Sequence, residues 1–78
     1  ELRPASVRCY SGYRGEEKPV SFSLDGGTFR IHRIMDRRRV HSTSGVRTEE
    51  YRVTVMNGRE FHLVFDPEEK NWTARAIK

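Results

Sequence analysis

The side chains best suited to catalysis in this 78-residue sequence are one cysteine and three histidines: Cys9, His32, His41 and His62. A cysteine beside a histidine can act as a nucleophile, and both residue types ligate metal ions. The four residues are far apart in the sequence, and no CxxC or HxxxH pair brings two ligands together. We therefore predict no catalytic residue, no metal site and no cofactor, and we expect Cys9 to pack against the core.

Two further patterns also fail to indicate an enzyme. Glu16 and Glu17 are adjacent, so in an extended segment their carboxylates would point to opposite sides and could not form a general acid and base pair. Gly12 and Gly15 are not followed by the lysine and serine or threonine of a phosphate-binding loop. The sequence favours a binding or interaction domain over an enzyme.

The positive charge is concentrated in the middle of the chain. The sequence has 15 Lys plus Arg against 11 Asp plus Glu, a net charge of +4. Residues 1–29 hold four basic and four acidic residues, and residues 53–78 also cancel, four against four. Residues 30–52 contain seven arginines against three acids, seven minus three, so the whole excess lies there. Arginine has a planar fork that suits phosphate and carboxylate, so this segment predicts an anionic partner.

We predict that the partner is a nucleic acid or an acidic protein. The predicted contacts are Arg33, Arg37, Arg38, Arg39 and Arg47, with Tyr13 and Arg14 as helpers. Arg37 to Arg39 lead into a polar linker at 40–45, so we expect the patch to lie on one loop. Exposed aromatics would strengthen a nucleic-acid interface by stacking on bases, and Tyr10, Tyr13 and Tyr51 remain once the core is filled. The alternative is that the arginines are solvated and pair with local carboxylates.

The apolar residues recur with period two, which predicts β-strands. Val20, Phe22 and Leu24 alternate with serines and lead into Asp25-Gly26-Gly27, and Phe29 and Ile31 follow. A two-residue loop at Gly26 and Gly27 would place Leu24 opposite Phe29 and Phe22 opposite Ile31, so that the apolar faces coincide.

A three-stranded meander is predicted over the last 30 residues. A two-residue Asn57-Gly58 loop would put the two apolar faces on opposite sides, so we predict a three-residue loop at 56–58 with Gly58 left-handed. That loop pairs Val53 with Phe61 and Tyr51 with Leu63. A four-residue turn at 67–70 then pairs Asp66 with Asn71, Phe65 with Trp72 and Leu63 with Ala74. The opposite, polar face carries Arg52, Thr54, His62, Thr73 and Arg75.

These strands, together with a first strand near Ser6 to Tyr10, predict one all-β domain over 1–78. Five or six antiparallel strands without a convincing helix can cover their apolar faces only as a small barrel or sandwich. Residues 31–39 are the ambiguous part. Ile31, Ile34 and Met35 have near-helical spacing, which a bulge after Ile31 explains equally well.

The single cysteine and the hydropathy predict the protein's compartment. One cysteine cannot form a disulfide within the chain, which favours a reducing, cytoplasmic setting. No apolar run approaches the ~20 residues that span a bilayer, so we expect a soluble protein with no membrane partner. No small-molecule substrate is inferred, and the oligomeric state stays open.

One stretch also resembles a known family. The run Cys-Tyr-Ser-Gly-Tyr-Arg-Gly-Glu-Glu-Lys-Pro at 9–19, with Phe22 and Leu24 after it, resembles the opening signature of a family of small uncharacterised bacterial all-β domains. Asp36-Arg37 resembles the central Asp-Arg element of that family, and the resemblance covers residues 7–37. Some relatives occur beside or fused to proteins resembling translesion polymerases, which implies a nucleic-acid or polymerase-partner role. Relatives often have Trp where Arg38 stands here.

The residues of that run carry two interpretations by their own chemistry. Tyr13 to Glu17 could form a tight turn in which a carboxylate holds Arg14 and Tyr13 caps the core. Alternatively, Tyr10, Tyr13 and Arg14 could form a recognition surface.

Overall fold

The computed structural model describes residues 2–11 and 17–77 and contains six β-strands in this part of the chain. The strands are β1 (Arg3–Ser11), β2 (Glu17–Leu24), β3 (Gly27–His41), β4 (Arg47–Val55), β5 (Glu60–Asp66) and β6 (Asn71–Ile77). Each strand pairs with the next, and β1 pairs with β6, so the sheet closes into an antiparallel barrel. This confirms the predicted all-β fold. The described residues contain no helix, and therefore none that could cross a membrane.

The core lies inside the barrel and is built by alternate residues of the strands. Fully buried side chains include Val53 and Val55 of β4 and Phe61 and Leu63 of β5, because residues two apart on a strand share a face. Phe22 enters from β2, with ring centroids 5.1 Å from Phe61 and 5.3 Å from Phe29. Among the buried apolar side chains of the described residues, six belong to β4, β5 and β6, and Pro19 and Phe22 belong to β2.

The loop of the β2–β3 hairpin lies one residue earlier than predicted, which shifts the pairing of the two strands by two residues. The loop consists of Asp25 and Gly26, both with positive φ (53° and 81°), and Leu24 pairs with Gly27. Phe22 is therefore opposite Phe29, and the predicted pairing of Phe22 with Ile31 is wrong. Both registers keep the apolar side chains on one face, so the apolar pattern cannot distinguish them. Asp-Gly is the better primed turn, because aspartate tolerates the left-handed conformation.

The C-terminal meander confirms the predicted registers. Val53 pairs with Phe61 and Tyr51 with Leu63 across a loop in which Gly58 has φ 91°. The amide of Val55 donates to the carbonyl of Arg59 (2.9 Å), which closes that loop. At the next turn Asp66 pairs with Asn71, and its Oδ1 accepts from the amide of Glu68 (2.9 Å). These registers fix which side chains of β4, β5 and β6 face outward.

Strand β3 belongs to both halves of the barrel. Residues 27–30 pair with β2, and residues 31–41 pair with β4. The register shifts twice, so His32 and Met35 are extra residues relative to β4, and this confirms the bulge interpretation of the near-helical spacing. Beyond Arg30, β3 pairs on one side only within the described chain, which leaves an open edge over 31–41.

Candidate nucleic-acid interface

The predicted arginines lie on strands rather than on a loop. Arg33, Arg37, Arg38 and Arg39 are part of β3, and Arg47 opens β4, directly opposite His41. The connection is only residues 42–46, where the Ser42 amide donates to the carbonyl of Val46 (2.9 Å). The loop prediction is wrong because the two bulges interrupt the period-two pattern that would have identified the strand. The arginines therefore share a rigid, paired hairpin, which we call the β3–β4 hairpin (27–55).

The hairpin distributes the five arginines over its two faces. Arg33 is opposite Thr54 and Arg38 is opposite Glu50, so both side chains lie on the outer face of the barrel. Arg37 is opposite Tyr51 and Arg39 is opposite Glu49, on the face that continues the core. Arg47 shares that second face with Arg37 and Arg39, since it pairs with His41. All five are exposed, but they form two surfaces instead of one.

Arg37 is held in a small network with Tyr51 and Glu49. Its guanidinium lies 5.5 Å from the centroid of the Tyr51 ring and 3.8 Å from Glu49 Oε1. The Tyr51 hydroxyl donates to Glu49 Oε1 (3.2 Å). Burial raises the pKa of Tyr51 above its ordinary value of 10.0; Arg37 opposes this effect and Glu49 adds to it. Arg37 is the predicted residue that best fits a structural role.

On the outer face, Arg38 borders a shallow groove of about 360 Å3. The groove is lined by charged residues of neighbouring strands, among them Glu50, Arg52, His62 and Arg75. Arg75 Nε donates to His62 Nδ1 (3.4 Å), which fits a tautomer that donates from Nε2 to Glu50 Oε1 (3.1 Å). Arg38 reaches the same carboxylate at 3.9 Å. Acids and cations thus alternate across this face.

Three of the five predicted arginines make no ion pair within the part of the chain that the structure describes: Arg33, Arg39 and Arg47. Arg39 lies directly opposite Glu49, but that carboxylate contacts Arg37. Arg38 has a side-chain exposure of 69% and its ion pair is long, so it stays accessible to a ligand. Among the five predicted arginines, the available cations are therefore Arg33, Arg38, Arg39 and Arg47.

The candidate stacking aromatics behave differently from one another. Tyr51 is only 4% exposed and packs beside Trp72, so the expectation that it could stack on a base is wrong. Tyr10 is 63% exposed on β1. Tyr13 and Arg14, the predicted helpers, lie outside the described residues, as do the two interpretations of that turn. Tyr10 is thus the aromatic side chain available for stacking among the described residues of the first strand.

Two sets of outward cations were missed as site residues. Arg52, His62 and Arg75 are paired in one row across β4, β5 and β6, and the predicted meander register already placed them on one polar face. Arg8 and Arg30 flank Ser21 in a row across β1, β2 and β3. Summing charge along the sequence hides this second row, because β1 and β2 lie in a segment with no net charge.

Metal ligation finds no support in the described geometry. No group of three or more His, Cys, Asp or Glu side chains in residues 2–11 and 17–77 is arranged to hold a metal ion. Comparisons of the chain with protein-family models, with curated proteins and with solved structures find no match.

Proposed function

We propose that this domain is a non-enzymatic binding module whose partner is a nucleic acid, bound through the exposed arginines of the β3–β4 hairpin. The observation that carries the proposal is that three of the five predicted hairpin arginines make no ion pair with any residue that the structure describes: Arg33, Arg39 and Arg47. A paired hairpin fixes the backbone positions of these arginines, Arg33 on the outer face and Arg39 and Arg47 on the other, which lowers the conformational cost of binding phosphates along either face. Arg38 adds a fourth contact.

Two features of the sequence agree with this proposal. The seven-to-three excess of arginine over acid in 30–52 provides a local field that attracts a polyanion. The resemblance of residues 7–37 to bacterial domains found beside translesion-polymerase-like proteins implies the same class of partner.

Salt-dependent titration with short oligonucleotides tests the proposal. Phosphate contacts release counterions, so the logarithm of the affinity should fall linearly with the logarithm of the salt concentration. A hairpin variant that lacks the charges of Arg33, Arg39 and Arg47 should bind the oligonucleotide at least about ten times more weakly at about 50 mM salt. Its affinity should also depend less steeply on the salt concentration. Its substitutions are Arg33→Gln, Arg39→Gln and Arg47→Gln.

A matched control loses the same number of charges elsewhere. Its substitutions are Arg3→Gln, Arg59→Gln and Lys70→Gln. Arg3 contacts Asp25 (3.3 Å), and Arg59 lies over the Phe61 ring, so neither belongs to the hairpin surface. If no variant and no wild-type protein binds any oligonucleotide at about 50 mM salt, the proposal is wrong. Equal losses of affinity in the hairpin variant and the control would show that only the net charge matters, and this result would also overturn the proposal.

An acidic protein segment is the second candidate partner. The open edge of β3 over 31–41 could accept an extended strand from another protein. Two bulges and a row of arginines disfavour strand addition at this edge, which is how many proteins protect exposed edges. Two results would favour this candidate over nucleic acid. The Arg37→Ala and Arg38→Ala variants would bind a protein partner as tightly as wild type does, and the backbone amides of residues 31–41 would become protected from hydrogen exchange when that partner binds.

A further inference from the structure

The outer face of β1, β2 and the first part of β3 is a second cationic surface, which we call the β1–β3 face. Its outward side chains are hydroxyls, cations and one tyrosine: Ser6, Arg8, Tyr10, Lys18, Ser21, Ser23, Thr28 and Arg30. Part of it forms a shallow groove of about 390 Å3 that includes Arg8 and Ser21. None of these residues is among the hairpin arginines proposed above as contacts, although Thr28 and Arg30 lie at the start of β3.

Strand register brings these residues together from distant parts of the sequence. Arg8 is opposite Ser21, and Ser21 is opposite Arg30, so the three side chains form one row. Since neighbouring strands lie about 4.8 Å apart, the two arginines begin about 10 Å from each other. A second row holds Ser23 and Thr28, whose hydroxyls are 3.4 Å apart. Tyr10 is opposite Lys18, and both are exposed.

The outward positions of this face carry no acid such as Glu50 on the outer face of β3 to β6. Residues 2–10, 18–24 and 27–30 contain no aspartate and no glutamate; Glu17 lies at the start of β2, and Asp25, in the loop after β2, contacts Arg3. Arg8, Lys18 and Arg30 make no ion pair with any residue that the structure describes. The groups between them are hydroxyls, which donate to phosphate oxygens and carry no charge to repel them. An outer sheet face with three cations that make no ion pair in the described residues, and with hydroxyls between them, is a surface suited to a phosphate backbone.

We propose that the β1–β3 face binds the backbone of single-stranded nucleic acid and that Tyr10 stacks on one of its bases. This inference rests on the proposed function, because it assigns a second contact surface for the same ligand. The single-stranded form is favoured because Tyr10 is 63% exposed beside Lys18, and a duplex keeps its bases stacked and out of reach of such a ring. Arg8, Lys18 and Arg30 supply the phosphate contacts.

The first test compares three variants that each lose three positive charges. The face variant carries Arg8→Gln, Lys18→Gln and Arg30→Gln, and it is compared with the hairpin variant and the matched control described above. The ligand is an oligothymidylate of about 12 nucleotides, a length typical of single-strand sites. We expect the face variant to bind at least about ten times more weakly than the control, with its salt slope reduced by about 2. Binding equal to that of the control would overturn the inference.

The second test isolates the stacking contribution. Tyr10→Ala should weaken oligothymidylate binding by about 5- to 150-fold, the range that stacking of one base implies, whereas Tyr10→Phe should retain the wild-type affinity. Binding of inorganic polyphosphate should be the same in all three proteins, because it has no base to stack. If Tyr10→Ala binds oligothymidylate as well as wild type does, the surface contacts phosphates only and the single-strand assignment is wrong.

The two proposals fail in different ways in these measurements. If the hairpin variant loses affinity and the face variant does not, the proposed function stands and this inference falls. If the face variant alone loses affinity, the β1–β3 face is the binding surface and the hairpin assignment falls. Amide NMR spectra of each variant should retain the dispersed β pattern of wild type, which shows that a loss of binding is not a loss of fold.

Discussion

On the outer face of β3 to β6, Arg38 and Arg75 lie near Glu50 and His62, whereas on the β1–β3 face Arg8 and Arg30 flank Ser21. The first face also covers the strands that supply most of the buried side chains. The second covers β1, β2 and the start of β3, where Pro19 and Phe22 are buried but other inward residues, such as Val7, are only half-buried. The β3 to β6 side therefore provides most of the core, and with it most of the stability, and it pairs Arg38 and His62 with Glu50 while Arg33 makes no ion pair in the described residues. The β1–β3 face provides less of the core, and its cations Arg8, Lys18 and Arg30 make no ion pair in that part of the chain.

The largest expected effect concerns the core. Leu63→Ala removes a fully buried side chain of β5 and should lower the free energy of unfolding by about 3 to 5 kcal/mol, which is nearly all that a domain of this size holds. Val7→Ala on β1 should cost about 1 kcal/mol, since Val7 is only partly buried. Urea unfolding followed by circular dichroism measures both. Equal costs would contradict the assignment of stability to the β4 to β6 side.

The next effect tests whether the two sides unfold together. Gly26→Ala and Gly58→Ala each place a side chain at positive φ (81° and 91°), where an added Cβ meets nothing within 4 Å. Each substitution should therefore cost about 1 to 2 kcal/mol through the backbone alone. Trp72 lies on β6, so its fluorescence reports on the side opposite Gly26. If Gly26→Ala leaves the urea midpoint of Trp72 unchanged, the barrel does not unfold as one unit.

A pH effect of similar size is expected at Tyr51. Its pKa is raised above 10.0 by burial, so the folded state favours the protonated hydroxyl. The associated stability is present below pH 10 and is lost as the pH rises through the folded-state pKa, at up to about 1.4 kcal/mol per pH unit. Urea unfolding from pH 8 to 11 should show a steeper alkaline loss in wild type than in Tyr51→Phe. Parallel curves would contradict the assignment.

The smallest effect concerns the acids of the β3 to β6 face. Glu50→Gln removes the carboxylate shared by Arg38 and His62 but keeps an oxygen that can accept from His62 Nε2. Oligonucleotide affinity should rise about 2- to 5-fold, since exposed ion pairs are worth up to about 1 kcal/mol. Glu68→Gln, in the turn after β5, changes the net charge equally and serves as the control. An equal rise in affinity in both variants would mean that the change in net charge, and not the position of Glu50 beside Arg38, causes the effect.

The register of the meander could be predicted from the sequence, because a slip of one residue would move the apolar side chains of one strand to the other face of the sheet. Of the two- and three-residue loops compared there, only the three-residue loop at 56–58 puts Val53 and Phe61 on the same face, so the apolar residues decided between them. At the β2–β3 hairpin two registers share the same parity, and the choice depended on the turn preference of Asp25-Gly26. The pattern of apolar residues identifies a strand register only when the alternative registers would expose those residues to solvent.

The binding surfaces were harder to predict because they depend on pairing between distant residues. The arginine run at 37–39 was visible in the sequence, but its division between two faces follows from the strand that contains it. Arg8, Lys18 and Arg30 are separated by ten or more positions, and β1 and β2 lie in a segment that sums to zero charge. Their common face appears only when β1, β2 and β3 are paired.

The two bulges of β3 have a consequence for comparing this chain with others. His32 and Met35 add length to β3 without changing which residues before and after them face inward. A protein with the same barrel could lack either residue and keep its downstream cations on the same sides. Position-by-position alignment through this strand would then be out of step by one, so shared ancestry is better sought by matching the pairing partners on β4.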